Sequence, residues 1–223
     1  MSRNLEFSIG EFYHIYNRGV DKRKVFLSKI DYRRFVALLY ACNNTAKVDL
    51  FEQGDSLEDV VKIERDETLT AICVYCLMPN HFHMILKEKI EGGISRFMQK
   101  LQTAYTMYFN ERNRRSGALF QGTFKATHAD SDEYLKYLVS YIHLNPVKLI
   151  EPKWKETGIA DRAGAEKFLS DYEHSSYPDC TGDSRLHGMI TDQKQLPEYF
   201  ESAFDFKSAV REWLEFNIES PEG

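Results

Sequence analysis

The sequence has no long apolar run. No stretch approaches the roughly 18 consecutive apolar residues that a membrane-spanning helix needs, and residues 1–6 lack the apolar segment of a secretory signal peptide. These absences argue against a membrane protein and against a secreted one. We therefore expect a cytoplasmic protein with no membrane partner.

Cysteine is also scarce. The four cysteines are scattered along the chain, so no disulfide framework is expected. Cys73 and Cys76 have the C-x-x-C spacing of some zinc sites, but they lie inside a predicted strand, where residues three apart face opposite sides. Without a bulge they could not share a zinc ion, and we predict that both are buried thiols.

The chain as a whole lacks an excess of basic residues, since its formal net charge is −5. This average conceals an asymmetry: residues 51–69 contain seven acids and two bases, whereas residues 95–150 contain eight bases and four acids. Salt screens exposed charges beyond about one Debye length, so local charge governs phosphate binding. The basic segment is therefore where phosphate-binding residues are sought.

Apolar and aromatic residues are plentiful enough for a folded core. Of the 223 residues, 43% are hydrophobic and 13% are aromatic, which suits one ordinary domain with an extension or two small domains. Periodicity and turn signals predict alternating strands and helices. The predicted strands cover 11–16, 71–78, 81–88 and 119–127, and the predicted helices cover 29–42, 94–113 and 132–144, with an acidic surface insertion between the first helix and the second strand.

A predicted hairpin carries the first chemical signal. Pro79 and Asn80 indicate a tight turn between two strands. Beyond the turn, His81 and His83 stand two residues apart, so their imidazoles point the same way, while Phe82 points towards a core. Two imidazoles on a rigid strand form half of a metal site. The alternative is a pair of surface histidines without a metal.

The last predicted helix carries the second signal. Tyr137, Tyr141 and Asn145 follow one another at four-residue steps and so lie along one face. A phenol, whose pKa is about 10, becomes an effective nucleophile when a metal polarises the electrophile. The amide oxygen of Asn145 could complete a metal site with the two histidines. Alternatively, the tyrosines simply pack against the sheet.

Five stretches of the sequence occur in the order seen in a known family. They are YHIYNRG at 13–19, YCLMPNHFH at 75–83, SRFMQ at 95–99, FQGTFK at 120–125 and SYIHLNPV at 140–147. With these motifs the chain resembles the HUH single-tyrosine transposases, in particular the REP-associated tyrosine transposases. HUH denotes His, hydrophobic residue, His, which here is His81-Phe82-His83. The resemblance spans roughly residues 11 to 150.

The resemblance implies an α+β fold, namely a ferredoxin-like palm in which an antiparallel sheet carries helices on one face, plus a C-terminal extension. It assigns residues 1–150 to the catalytic domain, with the acidic insertion at about 47–68, and residues 151–223 to the extension. The insertion and the extension depart from the family pattern, so their roles stay open.

The resemblance also implies a reaction. His81 and His83 would bind a divalent metal, Mg²⁺ or Mn²⁺, with Asn145 as third ligand. Tyr141 would attack single-stranded or hairpin DNA, leaving a 5′-phosphotyrosine and a free 3′-hydroxyl. The covalent intermediate retains the bond energy, so rejoining needs no ATP, and the sequence has no G-x-x-x-x-G-K-[ST] loop.

Basic residues beside aromatic ones could track a phosphate backbone while bases stack on the rings. For each of them the alternative is a solvated surface position. The candidates for DNA binding are Arg18, Arg96, Lys100, Arg112, Arg114, Arg115 and Lys125.

The sequence is also compatible with other functions. A hairpin-DNA-binding protein on the same palm could have lost the chemistry. A metal-dependent hydrolase that uses water ranks last, because no Asp-His pair follows His83 to complete an H-x-H-x-D-H pattern. Tyr137 is the rival nucleophile, and a homodimer is left open.

Overall fold

The computed structural model describes residues 5–46, 56–62 and 65–215. Four strands form one antiparallel sheet in the order β2-β3-β1-β4. This order, with helices after β1 and after β3, is the ferredoxin-like β-α-β-β-α-β arrangement. The predicted α+β class and palm are confirmed. The strands are β1 Phe12–Arg18, β2 Thr70–Met78, β3 His81–Glu88 and β4 Lys125–His128.

Helices connect the strands and form the C-terminal region. The predicted bounds of α1 and α4 match the structure. The α-helices are α1 Lys29–Cys42, α2 Leu57–Val60, α3 Gly93–Arg112, α4 Asp132–Leu144, α5 Trp154–Thr157, α6 Arg162–Asp171, α7 Tyr177–Cys180 and α8 Ala203–Glu215. Short 3-10 helices cover Val20–Lys22, Asn145–Leu149, Leu186–Met189, Gln193–Gln195 and Glu198–Phe200. Within the described ranges, none of the helices has the length and apolarity to cross a membrane.

The first face of the sheet packs against α1 and α3, as the palm prediction requires. Phe82, Met84 and Leu86 of β3 point into this layer, where they meet apolar side chains of both helices such as Phe35 and Phe97. Because side chains alternate along a strand, His81 and His83 must then face the other way. The hydrophobic pattern of β3 therefore fixes the direction of the two imidazoles.

The second face of the sheet is covered as well. Ile85 of β3 lies in a second buried cluster with Leu138 and Ile142 of α4 and with Leu169 and Phe206 of the C-terminal region. The palm's own helices are on one face, and α4 with the extension closes the other. Residues on both sides of position 150 share this cluster, and the division into 1–150 and 151–223 stays a prediction.

The two cysteines of the C-x-x-C pair do not face opposite sides, contrary to the strand-alternation prediction. A register shift between Ile72 and Val74 marks a bulge in β2. The extra residue restores Cys73 and Cys76 to the same face, and both thiols lie in the second cluster. Burial raises the pKa of both thiols, which agrees with their prediction as buried, free cysteines.

The strand expected over 119–127 is shorter, because only an isolated bridge joins Phe120 to Gly19 before β4 begins, and Gly122 has a φ of +69° that interrupts extended backbone. The acidic insertion at about 47–68 lies partly outside the described residues. Inside it, α2 forms one short helix whose start is capped by the Ser56 side chain.

Glu88, at the end of β3, holds the start of α3. Its buried carboxylate accepts hydrogen bonds from the backbone N–H groups of Gly93 at 3.0 Å and Ile94 at 2.7 Å. We expect Glu88→Ala to lower the free energy of unfolding by about 2 to 3 kcal/mol, because two buried donors at a helix N-terminus lose a charged acceptor. Urea denaturation measures this loss, with Glu91→Ala as an exposed control. A loss no larger than that of the control would contradict this role.

Candidate active site

A pocket of about 310 Å³ opens where β1, β3 and α4 meet. Its walls also include the loop before β4 and the segment after α4. The lining residues are Tyr16, Asn17, Arg18, His81, His83, Gln121, Lys125, Tyr141, Asn145, Lys148 and Lys155. The pocket thus joins the predicted histidine pair to the predicted tyrosine across 57 residues of intervening chain.

His83 is positioned by a third histidine. Its ring is buried, and its Nδ1 lies 2.8 Å from Nε2 of His14 on β1. One ring must donate in this contact; if His83 donates, its own Nε2 keeps a lone pair. Burial lowers the pKa of His14 to about 4, and burial followed by the neighbouring histidines lowers that of His83 well below its usual value. Both rings are therefore neutral at physiological pH.

Asn80, in the turn before β3, determines which ring nitrogen of His81 carries the proton. Its Nδ1 lies 2.6 Å from Oδ1 of Asn80, and Nδ2 of Asn80 donates to the carbonyl of Lys22 at 3.2 Å. The amide oxygen can only accept, so His81 Nδ1 carries the hydrogen and Nε2 has a lone pair. Burial, and then the charges of Arg18, Lys148 and Lys155, lower the pKa of His81 to about 4. This tautomer suits a metal ligand.

Tyr141 reaches the pocket from α4. Its ring centroid lies 5.7 Å from that of His83, edge to face, and the residue is 5% exposed. The Lys155 ammonium lies 4.3 Å from the centre of the Tyr141 ring. Tyr137, one turn earlier, stacks on Tyr141 but packs against Trp213 at 5.0 Å and does not line the pocket. Of the two tyrosines, Tyr141 is therefore the one whose side chain is placed beside the histidines.

Asn145, at the end of α4, lines the same pocket. Its Nδ2 donates to the Tyr141 carbonyl at 2.8 Å, which orients the amide and leaves Oδ1 outside that hydrogen bond. The residue is nearly buried. The bond ties the orientation of the Asn145 amide to the backbone of the residue that carries the phenol.

The donor set fits a divalent cation. It consists of two neutral imidazole nitrogens and one amide oxygen, all lining one cavity. Over the described ranges, no group of three or more His, Cys, Asp and Glu side chains could hold a metal. The side-chain amides that line the pocket are those of Asn17, Gln121 and Asn145. The described lining includes four cationic side chains and no carboxylate. This field favours a bound anion such as a phosphate.

The predicted DNA-binding residues divide into two groups. Arg18 and Lys125 line the pocket. The other five lie on α3 or directly after it, and α3 packs on the opposite face of the sheet from His81. The predicted basic residues therefore do not form one surface around the histidines. The five are Arg96, Lys100, Arg112, Arg114 and Arg115.

Several of these five have structural contacts. Lys100 Nζ donates to the carbonyls of Asn44 at 2.6 Å and Ala46 at 2.9 Å. Arg112 lies 3.6 Å from the buried carboxylate of Asp31, and Arg115 donates to the carbonyl of Ala118 at 3.0 Å. These contacts account for the residues without DNA, whereas Arg96 is exposed on α3.

Six residues at the site are not indicated by the sequence patterns: Tyr16, Asn17, Gln121, Lys148 and Lys155 line the pocket, and His14 contacts His83. Lys148 follows Asn145 by three residues and was counted only in the charge balance. His14 and Gln121 both lie in stretches that match the family. No spacing pattern in the sequence links either of them to His83. Lys155 lies in the extension, where nothing in the sequence points to the pocket.

Comparisons with known proteins identify the family and the fold. Residues 12–145, more than half of the chain, match the family model described as "Transposase IS200 like". The fold is similar to that of a solved structure described as a REP-associated tyrosine transposase bound to a REP hairpin, with 14% identity, a TM-score of 0.50, and coverage of 86% of this chain and 94% of that one. No curated protein matches. The chain belongs to the IS200-like transposase family.

Proposed function

We propose that this transposase cleaves and rejoins single-stranded DNA through a covalent bond to Tyr141, at sites next to hairpins. The observation that carries the proposal is the meeting of Tyr141 with His81 and His83 in one cavity, where the rings of Tyr141 and His83 are 5.7 Å apart. The hairpin preference follows from the similarity in fold to a transposase bound to a REP hairpin.

The cleavage step needs no energy-carrying cofactor, because one phosphoester bond forms as another breaks. The Tyr141 Oη attacks phosphorus, an O–P bond to the phenol forms, and the bond between phosphorus and the 3′-oxygen breaks. The phenol proton is lost to solvent and the departing oxygen takes one up, so the products are a 5′-phosphotyrosine and a 3′-hydroxyl. Rejoining is the reverse step with a 3′-hydroxyl as the nucleophile.

His81, His83 and Asn145 are the residues that would hold Mg²⁺ or Mn²⁺. When bound, such a cation polarises a phosphoryl oxygen and neutralises developing charge. The chain itself orients this set: His14 fixes the ring of His83, Asn80 fixes the tautomer of His81, and the Tyr141 carbonyl fixes the amide of Asn145. Burial also keeps both imidazoles neutral. Nε2 of His81 has a lone pair for binding, and Nε2 of His83 has one when its Nδ1 donates to His14.

The cationic wall of the pocket would bind the DNA backbone. Arg18, Lys125, Lys148 and Lys155 surround the histidines, and Tyr16 offers an aromatic ring beside Lys125 Nζ at 5.8 Å. This arrangement of charges with an aromatic platform is typical of single-strand binding.

We expect binding of single-stranded DNA to weaken steeply with salt. Four phosphate contacts predict that the logarithm of the association constant falls with the logarithm of salt concentration with a slope of roughly −3, because each contact releases counterions from a single strand. Fluorescence anisotropy with a labelled oligonucleotide measures this slope between about 50 and about 200 mM salt. A flat response would contradict the proposed wall.

The test of the proposed function is covalent capture. The protein is incubated with Mn²⁺ and with oligonucleotides that carry a hairpin and single-stranded flanks, each labelled on its 5′ or its 3′ side. We expect a denaturation-resistant adduct with the 3′-side label and a released fragment with the 5′-side label. An adduct that carries the 5′-side label would contradict the polarity of the reaction.

A second candidate is a hairpin-binding protein without chemistry, favoured by the close packing of the tyrosine, which is 5% exposed. The same experiment separates the two. If the oligonucleotides bind with hairpin preference and no adduct forms with any of them, the binding protein is the better account.

A further inference from the structure

We propose that Lys155, from the segment beyond the family match, supplies the positive charge beside the phenol of Tyr141 and the phosphate under attack. The C-terminal extension would thus contribute a side chain to the reaction. This inference rests on the proposed function and adds a residue to it. The family model ends at residue 145, so that match assigns no role to residue 155.

The fold holds Lys155 at the pocket. It lies on α5, directly after Trp154, which is 3% exposed and packed in the cluster on the second face of the sheet. The carboxylate of Glu151 accepts hydrogen bonds from the backbone N–H groups of Ala160 at 2.9 Å and Asp161 at 3.1 Å. These bonds close the loop around α5, so the lysine extends from an anchored turn.

The charge of Lys155 reaches the residues proposed to react. Its Nζ lies 4.3 Å from the centre of the Tyr141 ring, and it lines the same cavity as His81 and His83. It also contributes to the lowered pKa of both histidines. An anion that enters this cavity would therefore lie close to the Lys155 ammonium.

Such a charge is useful in this reaction. As Tyr141 attacks, negative charge builds on the phenol oxygen and on the non-bridging oxygens of the phosphate. An ammonium group already in place stabilises that charge without reorganisation. Lys155 neither gains nor loses a proton in the step. It contributes hydrogen-bond donors to the developing negative charge. The covalent bonds that change are the same as in the proposed cleavage: the bond from the Tyr141 oxygen to phosphorus forms, and the bond from phosphorus to the 3′-oxygen breaks.

A lysine that only binds DNA predicts a different result from one that acts on the transition state. A backbone contact is made equally before and during the reaction, so its loss weakens binding and leaves the rate at saturating DNA unchanged. A contact that strengthens as charge develops lowers the rate at saturation. The rate and the affinity must therefore be measured separately.

The experiment compares Lys155→Gln and Lys155→Arg with the wild type and with Lys153→Gln. Lys153 is exposed on the same turn and does not line the pocket, so its variant is the matched control. Each protein reacts in single turnover with saturating amounts of the hairpin oligonucleotide that the wild type cleaves. Anisotropy gives the affinity for the same DNA, and the thermal midpoint checks the fold.

We expect Lys155→Gln to slow adduct formation at saturation by about a hundredfold, the loss typical of one preorganised donor, in addition to the weaker binding that follows from the loss of one phosphate contact. Lys155→Arg should recover most of the rate, and Lys153→Gln should match the wild type. An unchanged rate at saturation in Lys155→Gln, with or without weaker binding, would overturn this inference while the proposed function stands. No adduct from the wild type would overturn the proposed function and this inference with it.

Discussion

Tyr141→Phe is expected to abolish the covalent adduct and to leave DNA binding nearly unchanged. The substitution removes the one oxygen that attacks phosphorus, and losses of at least about 10⁴-fold are typical when a nucleophile is deleted. The ring and its edge-to-face contact with His83 stay in place, and the cationic wall is untouched. Denaturing gels with a labelled oligonucleotide measure the adduct, and anisotropy measures the binding.

Tyr137→Phe is the matched control, because it lies one turn away on the same helix face and stacks on Tyr141. We expect it to form the adduct at a rate close to that of the wild type. An adduct that persists in Tyr141→Phe and disappears in Tyr137→Phe would transfer the nucleophilic role to Tyr137.

His81→Ala should remove the dependence of cleavage on Mn²⁺ and slow adduct formation by at least about a hundredfold, since even outer residues of metal sites often cost that much when lost. His81 is only half-buried at a turn, so the fold should tolerate the change. Adduct rates across a Mn²⁺ titration, together with paramagnetic detection of Mn²⁺ bound to the protein–DNA complex, give the result.

The control for His81→Ala is His128→Ala. His128 lies on β4, where its Nε2 is 2.9 Å from the Glu11 carboxylate, and it does not line the pocket. We expect this variant to keep the Mn²⁺ dependence of the wild type. If His81→Ala also kept that dependence, the imidazole pair would have no role in metal binding.

Strand alternation and helical spacing made the core of the site predictable. The alternation of His81, Phe82 and His83 determines which face of the sheet each side chain of β3 points to. The apolar side chain points into the first core, so its two neighbours point to the opposite face. The four-residue step from Tyr141 to Asn145 likewise sets one face of α4. Both regularities are local, so a single sequence displays them. The arrangement of the strands into a palm is instead predicted from the resemblance of five motifs to a known family.

The residues that the sequence did not reveal depend on contacts between distant segments. His14 meets His83 across 69 positions, and Lys155 reaches Tyr141 only because the extension packs on the second face of the sheet. Charge counting also treated Lys100 and Lys125 alike. Yet Lys100 is bound to carbonyl groups on the first face and Lys125 lines the pocket. Periodicity cannot tell which face of a sheet a distant segment will cover.

The most direct test is to identify the residue that carries the DNA. After reaction with a hairpin oligonucleotide and Mn²⁺, nuclease digestion leaves a short nucleotide on the protein, and trypsin releases residues 137–148 as one peptide that contains both Tyr137 and Tyr141. Fragmentation in the mass spectrometer should locate a 5′-linked nucleotide on Tyr141. A nucleotide on Tyr137, or on a residue outside this peptide, would contradict the proposal that the phenol beside the histidine pair performs the reaction.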